Sequence, residues 1–208
     1  MNRFLIALAC VLWATPASAH RLDEYLQASR IGLEPAGLMV EIDLTPGAAV
    51  AGRVIARMDT NGDGELSTAE REAYAAGVVG DVVLEIDGRR ASLELVETRF
   101  PQTSGMREGL GAVQLRARGP RLPSSGRHAV RFFNLHEPEV SVYLVNALMP
   151  PPGITITHQR RDYWQHELTI DYAGDSETST AWTIAGLLAL GAVIAIRRNR
   201  VSSGNPVS

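Results

Sequence analysis

Residues 59–70 read Asp-Thr-Asn-Gly-Asp-Gly-Glu-Leu-Ser-Thr-Ala-Glu, an oxygen-rich run whose spacing suits the capture of a hard divalent cation. Asp59, Asn61 and Asp63 stand at positions 1, 3 and 5 of an EF-hand loop, where alternate side chains converge on one point. Gly64 at position 6 permits the sharp turn, and Glu65 at position 7 offers its backbone carbonyl. Ser67 at position 9 is placed to ligate directly or through water, and Glu70 at position 12 brings two carboxylate oxygens. Calcium is the expected ion, because magnesium demands a tighter octahedral shell. The alternative is a solvated acidic turn between two helices. The chain holds one such loop; the run Asp171–Asp175 lacks both the glycine and the final glutamate. EF-hands pair through position 8, here Leu66, so this loop must pack on its own domain or pair between molecules as a homodimer. A lone loop outside the cell is expected at the weak end of calcium affinity, as a structural module rather than a switch.

Two helices have to flank that loop. Thr45-Pro46 reads as a helix start, and Val50, Val54, Ile55 and Met58 recur at helical spacing. Ser67 and Glu70 have capping-box spacing, Tyr74 and Val78 share a face, and the second helix ends by Gly80. The helix–loop–helix therefore occupies about 46–79, and it interrupts a chain that otherwise alternates with period two. Leu38, Val40, Ile42 and Leu44 are separated by Met39, Glu41 and Asp43, the pattern of a half-buried strand. Asp87-Gly88 is a two-residue hairpin signal between strands at 82–86 and 91–96. Further strands are expected at 25–33, 112–118, 128–133, 140–147, 153–158 and 167–172, separated by proline and glycine clusters. About nine short strands at this spacing predict a mainly β fold, an antiparallel β-sandwich with an inserted EF-hand.

Hydrophobic segments frame the domain. Arg3, an apolar run from Phe4 to Trp13 and the small residues Ala17-Ser18-Ala19 read as a signal peptide over 1–19. Residues 180–196 carry no charge, begin near Trp182 and are followed by Arg197, Arg198 and Arg200. That pattern predicts one transmembrane helix with a cytoplasmic tail, 197–208, after an ectodomain over 20–172 and a linker over 173–179. The expected location is the bacterial cell membrane, single-pass, with the N-terminal domain periplasmic or extracellular. The 208 residues include 20 basic residues, every one an arginine, against 23 acidic ones. All the acidic residues lie between the two hydrophobic segments, so the ectodomain is acidic and no nucleic-acid partner is expected. The single cysteine, Cys10, falls within the signal peptide and leaves the mature chain without a thiol.

Other chemistry is sparse. No Gly-rich phosphate loop, GxSxG elbow or HExxH pair occurs, and no nucleophile–base pairing is legible, so a non-enzymatic role is expected. Cleavage after Ala19 would free the amine of His20, which with its imidazole could chelate nickel or copper; a transition-metal accessory role is the second reading. An uncharacterised hydrolase is a distant third. His128, His136, His158 and His166 read as scattered surface or strand residues, Glu137 and Glu139 as solvated, and Tyr163-Trp164 as packed against core or loop.

His20–Gln27, Leu44-Thr45-Pro46-Gly47, Met106–Gly111 and Ser141–Ala147 resemble the extracellular N-terminal domain of bacterial HupE/UreJ-type proteins, hydrogenase and urease accessory permeases. The resemblance spans most of His20 to Tyr172. It implies a neighbourhood of metal uptake, with a metal permease or another membrane protein as partner. A single span cannot form a transport path, so permease activity itself is not implied.

Overall fold

A computed structural model describes residues 23–174. The expected signal peptide, His20, most of the linker, the span over 180–196 and the tail lie outside the described residues. Within them, no helix is long and apolar enough to cross a membrane.

The fold is mainly β, with two five-stranded sheets. Strands β1 (Tyr25–Glu34) and β2 (Gly37–Pro46) form a hairpin, followed by helices α1 (Ala48–Met58) and α2 (Thr68–Gly80). Then come β3 (Val82–Ile86), β4 (Arg89–Ala91), β5 (Glu94–Arg99), the short α3 (Thr103–Arg107) and β6 (Val113–Arg118). The chain closes with β7 (Gly126–Asn134), β8 (Ser141–Ala147), β9 (Ile154–Arg161) and β10 (Glu167–Gly174). The first sheet has the order β5-β6-β2-β1-β8 and the second β4-β3-β7-β10-β9. Period-two alternation buries one face of each: Leu38, Val40, Ile42 and Leu44 from β2 meet Val130, Phe132, Leu168 and Ile170 in a single apolar cluster.

Three expectations are corrected. The first sheet is not purely antiparallel, because β8 runs parallel to β1, with Tyr25 opposite Ser141 and Ile31 opposite Ala147. Alternation looks the same in either direction; β8 enters from the second sheet at the level of Tyr25 and descends beside β1. The strand expected at 91–96 is two strands: Ala91 pairs with Leu84 in the second sheet, then the chain crosses over and β5 joins β6 in the first. The α1 start is later than Thr45-Pro46. Pro46 is still a strand residue opposite Tyr25, and Gly47 is the N-cap with no side-chain hydrogen bond. Proline has no N–H to donate, so it fits the end of a ladder as well as the start of a helix.

The long axis has two unlike ends. At one, α1 and α2 fill the gap between Pro46 and Val82. At the other, Gly174 pairs with Gly126 and Ile154, and the 119–125 connection crosses from sheet to sheet. Leu38 N–H donates to the Pro120 carbonyl and the Tyr172 hydroxyl to that of Pro123, which fastens the connection to both. On the outer face of the first sheet, Arg30 pairs with Glu41 and Asp43, and Arg116 with Glu41 and Glu97. Tyr163 and Trp164, expected to pack, are instead 87% and 68% exposed, stacked edge-to-face on each other in the β9–β10 turn.

Candidate functional site

Both helices expected around the acidic loop are present. α1 buries Val54, Ile55 and Met58, and α2 buries Ala75 and Val78. Ser67 caps α2 through the expected capping box: its hydroxyl accepts from Glu70 N–H while the Glu70 carboxylate accepts from Ser67 N–H. Leu66 lies in the core cluster at 5% exposure, so position 8 packs within its own domain. Gly62 and Gly64 hold φ of 73° and 87°, the left-handed turn that glycine adopts without steric cost.

The first and last carboxylates organise the loop. Asp59 accepts from Gly62 N–H at 2.7 Å, Asp63 N–H at 3.2 Å and Gly64 N–H at 2.9 Å, which wraps the chain around its side chain. Asp63 accepts from the Asn61 amide and from Glu65 N–H. Glu70 spans the loop. One of its oxygens accepts from Thr60 N–H and hydroxyl at 2.8 and 2.9 Å, the other from Ser67 N–H and hydroxyl at 2.9 and 2.7 Å. These donors, the Ser67 hydroxyl foremost, hold the Glu70 carboxyl down to about 2. Glu65 is exposed, and only its backbone was assigned a part.

Asp59, Asn61, Asp63, Ser67 and Glu70 thus sit in one short loop between two anchored helices. Among the described residues no three His, Cys, Asp or Glu side chains already converge as a metal cluster. The carboxylates are instead engaged with N–H and hydroxyl donors of the loop. The donor set is all oxygen, with three carboxylates, an amide and a hydroxyl, and therefore suits a hard cation over a transition metal. A cation here would compete with the loop's own donors for Glu70.

A second polar group was not legible in the sequence. Tyr25 and Tyr74 hydroxyls stand 2.5 Å apart, Tyr74 is 3.2 Å from His136 Nε2, and His136 Nδ1 is 2.8 Å from Asp81. With His136 neutral, the Asp81 carboxylate can only accept, so Nδ1 bears the proton and Nε2 accepts from Tyr74. His136 takes neither the surface nor the strand placement expected of the histidines: it is buried in the β7–β8 connection. Glu137, expected to be solvated, has a side chain only 7% exposed, a φ of 47° and an ion pair with Arg57 of α1. Gln27, Asn134 and Tyr143 complete the network around the His136 backbone. Burial pushes the Tyr25 and Tyr74 hydroxyls well above the usual phenol range, so neither supplies a phenolate nucleophile at neutral pH. The arrangement ties α1 and α2 to β1 and to the β7–β8 connection. Its signal in sequence was faint: Tyr25, Tyr74 and His136 are separated by 49 and 62 residues.

No known protein family, curated protein or solved structure matches this chain.

Proposed function

We propose that this protein is a non-enzymatic, membrane-anchored domain of the bacterial cell surface whose defined activity is calcium binding at 59–70. The inserted helix pair is read as an EF-hand and the two sheets as a sandwich that carries it. The observation that supports the reading is the loop itself: Asp59 and Glu70, eleven residues apart, both turn their carboxylates back onto the 60–67 segment, Asp59 accepting from Gly62, Asp63 and Gly64 N–H and Glu70 from Thr60, Asn61 and Ser67 N–H. In the reading, Asp59, Asn61, Asp63, Ser67 and Glu70 supply side-chain oxygens and Glu65 its carbonyl. Calcium, when bound, neutralises the loop carboxylates; the chain orients the oxygens and fixes the helices through Leu66 and the tyrosine–histidine network. The residues over 180–196 are the proposed anchor. The sequence resemblance makes a metal permease or another membrane protein the proposed partner.

Isothermal titration of the full chain with calcium tests this. Binding that disappears in Glu70→Gln is the expected result; no heat with the wild-type chain overturns it. Nickel or copper binding abolished by extending the N-terminus would favour the alternative based on His20. Self-association through the loop is not required under this reading, because Leu66 is occupied within its own core.

A further inference from the structure

The end of the domain opposite the acidic loop has the reverse character. Arg89 and Arg90 follow the β3–β4 turn, Arg118 ends β6, Arg121 lies on the 119–125 connection and Arg127 begins β7. All five are exposed, and none has an ion-pair partner among the described residues. Elsewhere Arg30, Arg57, Arg99, Arg116 and Arg131 are each matched to a carboxylate, while the exposed Arg53, Arg71 and Arg107 stand apart from one another without lining a common cleft. Arg89, Arg90 and Arg121 line one open cleft together with Asp87, Pro120 and Pro123. The cleft's one carboxylate is already engaged, since Asp87 binds His128 Nδ1 at 2.7 Å and Ala129 N–H at 2.9 Å. Glu34, Glu85 and Glu94 are the other acids near this end; Glu85 lies opposite Arg90 and Glu94 opposite Arg118 in the strand ladders, and none of the three lines that cleft.

Three guanidiniums around one concave surface, with the local acid hydrogen-bonded to histidine and a backbone N–H, suit phosphate oxygens. Where the chain leaves the domain says which phosphates are near. Gly174 pairs with Gly126, one residue before Arg127, so the polypeptide exits β10 at the arginine end. Five residues, 175–179, separate that exit from the apolar segment, a reach of at most about 17 Å. Met149, 95% exposed, lies at the same end, in the loop that leads into Ile154, the cross-strand partner of Gly174. Met149 lies toward the sheet edge opposite β4, so the end of the domain pairs arginines on one side with an exposed apolar residue on the other, both of which an interfacial surface presents to lipid.

We infer that the Arg89–Arg90–Arg121 cleft binds the phosphates of anionic phospholipid headgroups and seats the domain on its own membrane, with the acidic loop pointing away. This rests on the proposed anchor at 180–196. Each arginine near an anionic surface contributes roughly a five-fold preference for it.

The test places the full chain, in a Cys10→Ser background, in nanodiscs of neutral phosphatidylcholine or of phosphatidylcholine with phosphatidylglycerol, each containing a headgroup spin label. A fluorophore at Ser125→Cys reports the arginine end and one at Ala76→Cys the loop end. Quenching at position 125 is expected to be several-fold stronger in the anionic discs, to fall to the neutral level in Arg89→Gln/Arg90→Gln/Arg121→Gln, and to be weak at position 76 in both. The same change in the exposed Arg53→Gln/Arg71→Gln pair should leave it intact. Equal quenching at 125 in both disc types overturns the headgroup contact and leaves the anchor standing. Failure of the chain to co-elute with discs overturns the anchor and the inference together. A response to excess inorganic phosphate in neutral discs that equals the anionic response reassigns the cleft to soluble phosphate and also overturns the inference.

Discussion

The two ends of this domain handle charge in opposite ways. At the loop end, every acidic side chain assigned to a cation is already satisfied by donors of its own segment: Asp59 by three N–H groups, Glu70 by Thr60, Asn61 and Ser67. Behind the loop, a chain of two tyrosines and a buried histidine ending on Asp81 fastens α2 to the sheets, and the Arg57–Glu137 ion pair fastens α1. At the exit end, five arginines stand in solvent without an ion pair, and the carboxylate that shares their cleft, Asp87, is hydrogen-bonded to His128 and Ala129 N–H. The arginines need no such compensation, because they stand exposed on long side chains that water reaches and that can move apart. Closely spaced carboxylates repel, so a loop that gathers them has to supply donors even before a cation arrives. The difference teaches that preorganisation at the acidic end is a matter of hydrogen bonds and packing, and at the basic end of placement.

If the loop end depends on the core in this way, the largest effect should come from the apolar residue that joins them. Leu66→Ala is expected to cost about 2–4 kcal/mol in denaturant unfolding of the full chain. A loss under 1 kcal/mol would mean that the loop folds independently of the sheets.

Next comes the cation. Calcium at a hundredfold excess over its dissociation constant should stabilise the wild-type protein by about 2.7 kcal/mol. In a calorimetric scan this appears as a rise in Tm, and Glu70→Gln should erase most of it. A wild-type Tm indifferent to saturating calcium would reduce the loop to a self-satisfied acidic turn. The triple arginine variant should retain the full calcium response, since its residues lie at the opposite end; a diminished response would show that the two ends are coupled.

Tyr74→Phe removes a hydroxyl from the middle of the Tyr25–Tyr74–His136 chain and leaves two buried partners short of a bond. A loss of about 1–2 kcal/mol is expected, read from the shift in denaturant midpoint. His136→Gln in the same background should then cost less than it does alone, because the two act through one network.

The smallest effect is a pH dependence at the exit end. Both ring nitrogens of His128 face acceptors, the Ser125 carbonyl and the Asp87 carboxylate, which raises its pKa, the carbonyl being the larger cause. A raised pKa adds stability that is full below the unfolded value of about 6.5 and is lost as pH rises through the folded one. Asp87 is shifted down, chiefly by Ala129 N–H and then by His128. Its contribution is present above about 4 and is lost as acid takes pH through its folded value. The pair should therefore stabilise most between about pH 4 and 6.5, by a modest amount because Asp87 is largely solvated. Denaturation midpoints at pH 5.5 and 8 should differ in wild type by more than in His128→Gln; identical pH profiles would dismiss the pair.

Much of this was present in the linear chain because it depends on neighbours. The capping box at Ser67 and Glu70, the glycine turn at Gly64, the Asp87-Gly88 hairpin and the alternation of β2 are all local, set by backbone sterics, short-range hydrogen bonds and side-chain period. The loop residues were legible for the same reason, since all six lie within twelve positions. What escaped was whatever required distant segments to meet. The parallel β1–β8 pair, the division of 89–99 between two sheets, the burial of His136 and Glu137 beside Tyr25 and Tyr74, and the gathering of Arg89, Arg90 and Arg121 each join parts of the chain tens of residues apart. Alternation fixes which face of a strand is apolar but is silent on which strand lies next to it, and charge in a sequence has no position until the sheets assemble. The amino-acid sequence by itself determined the acidic loop between two helices and the β character of its host; only the tertiary structure decided that Arg89, Arg90 and Arg121 gather at the end opposite that loop, because that gathering is a property of strand order and not of spacing.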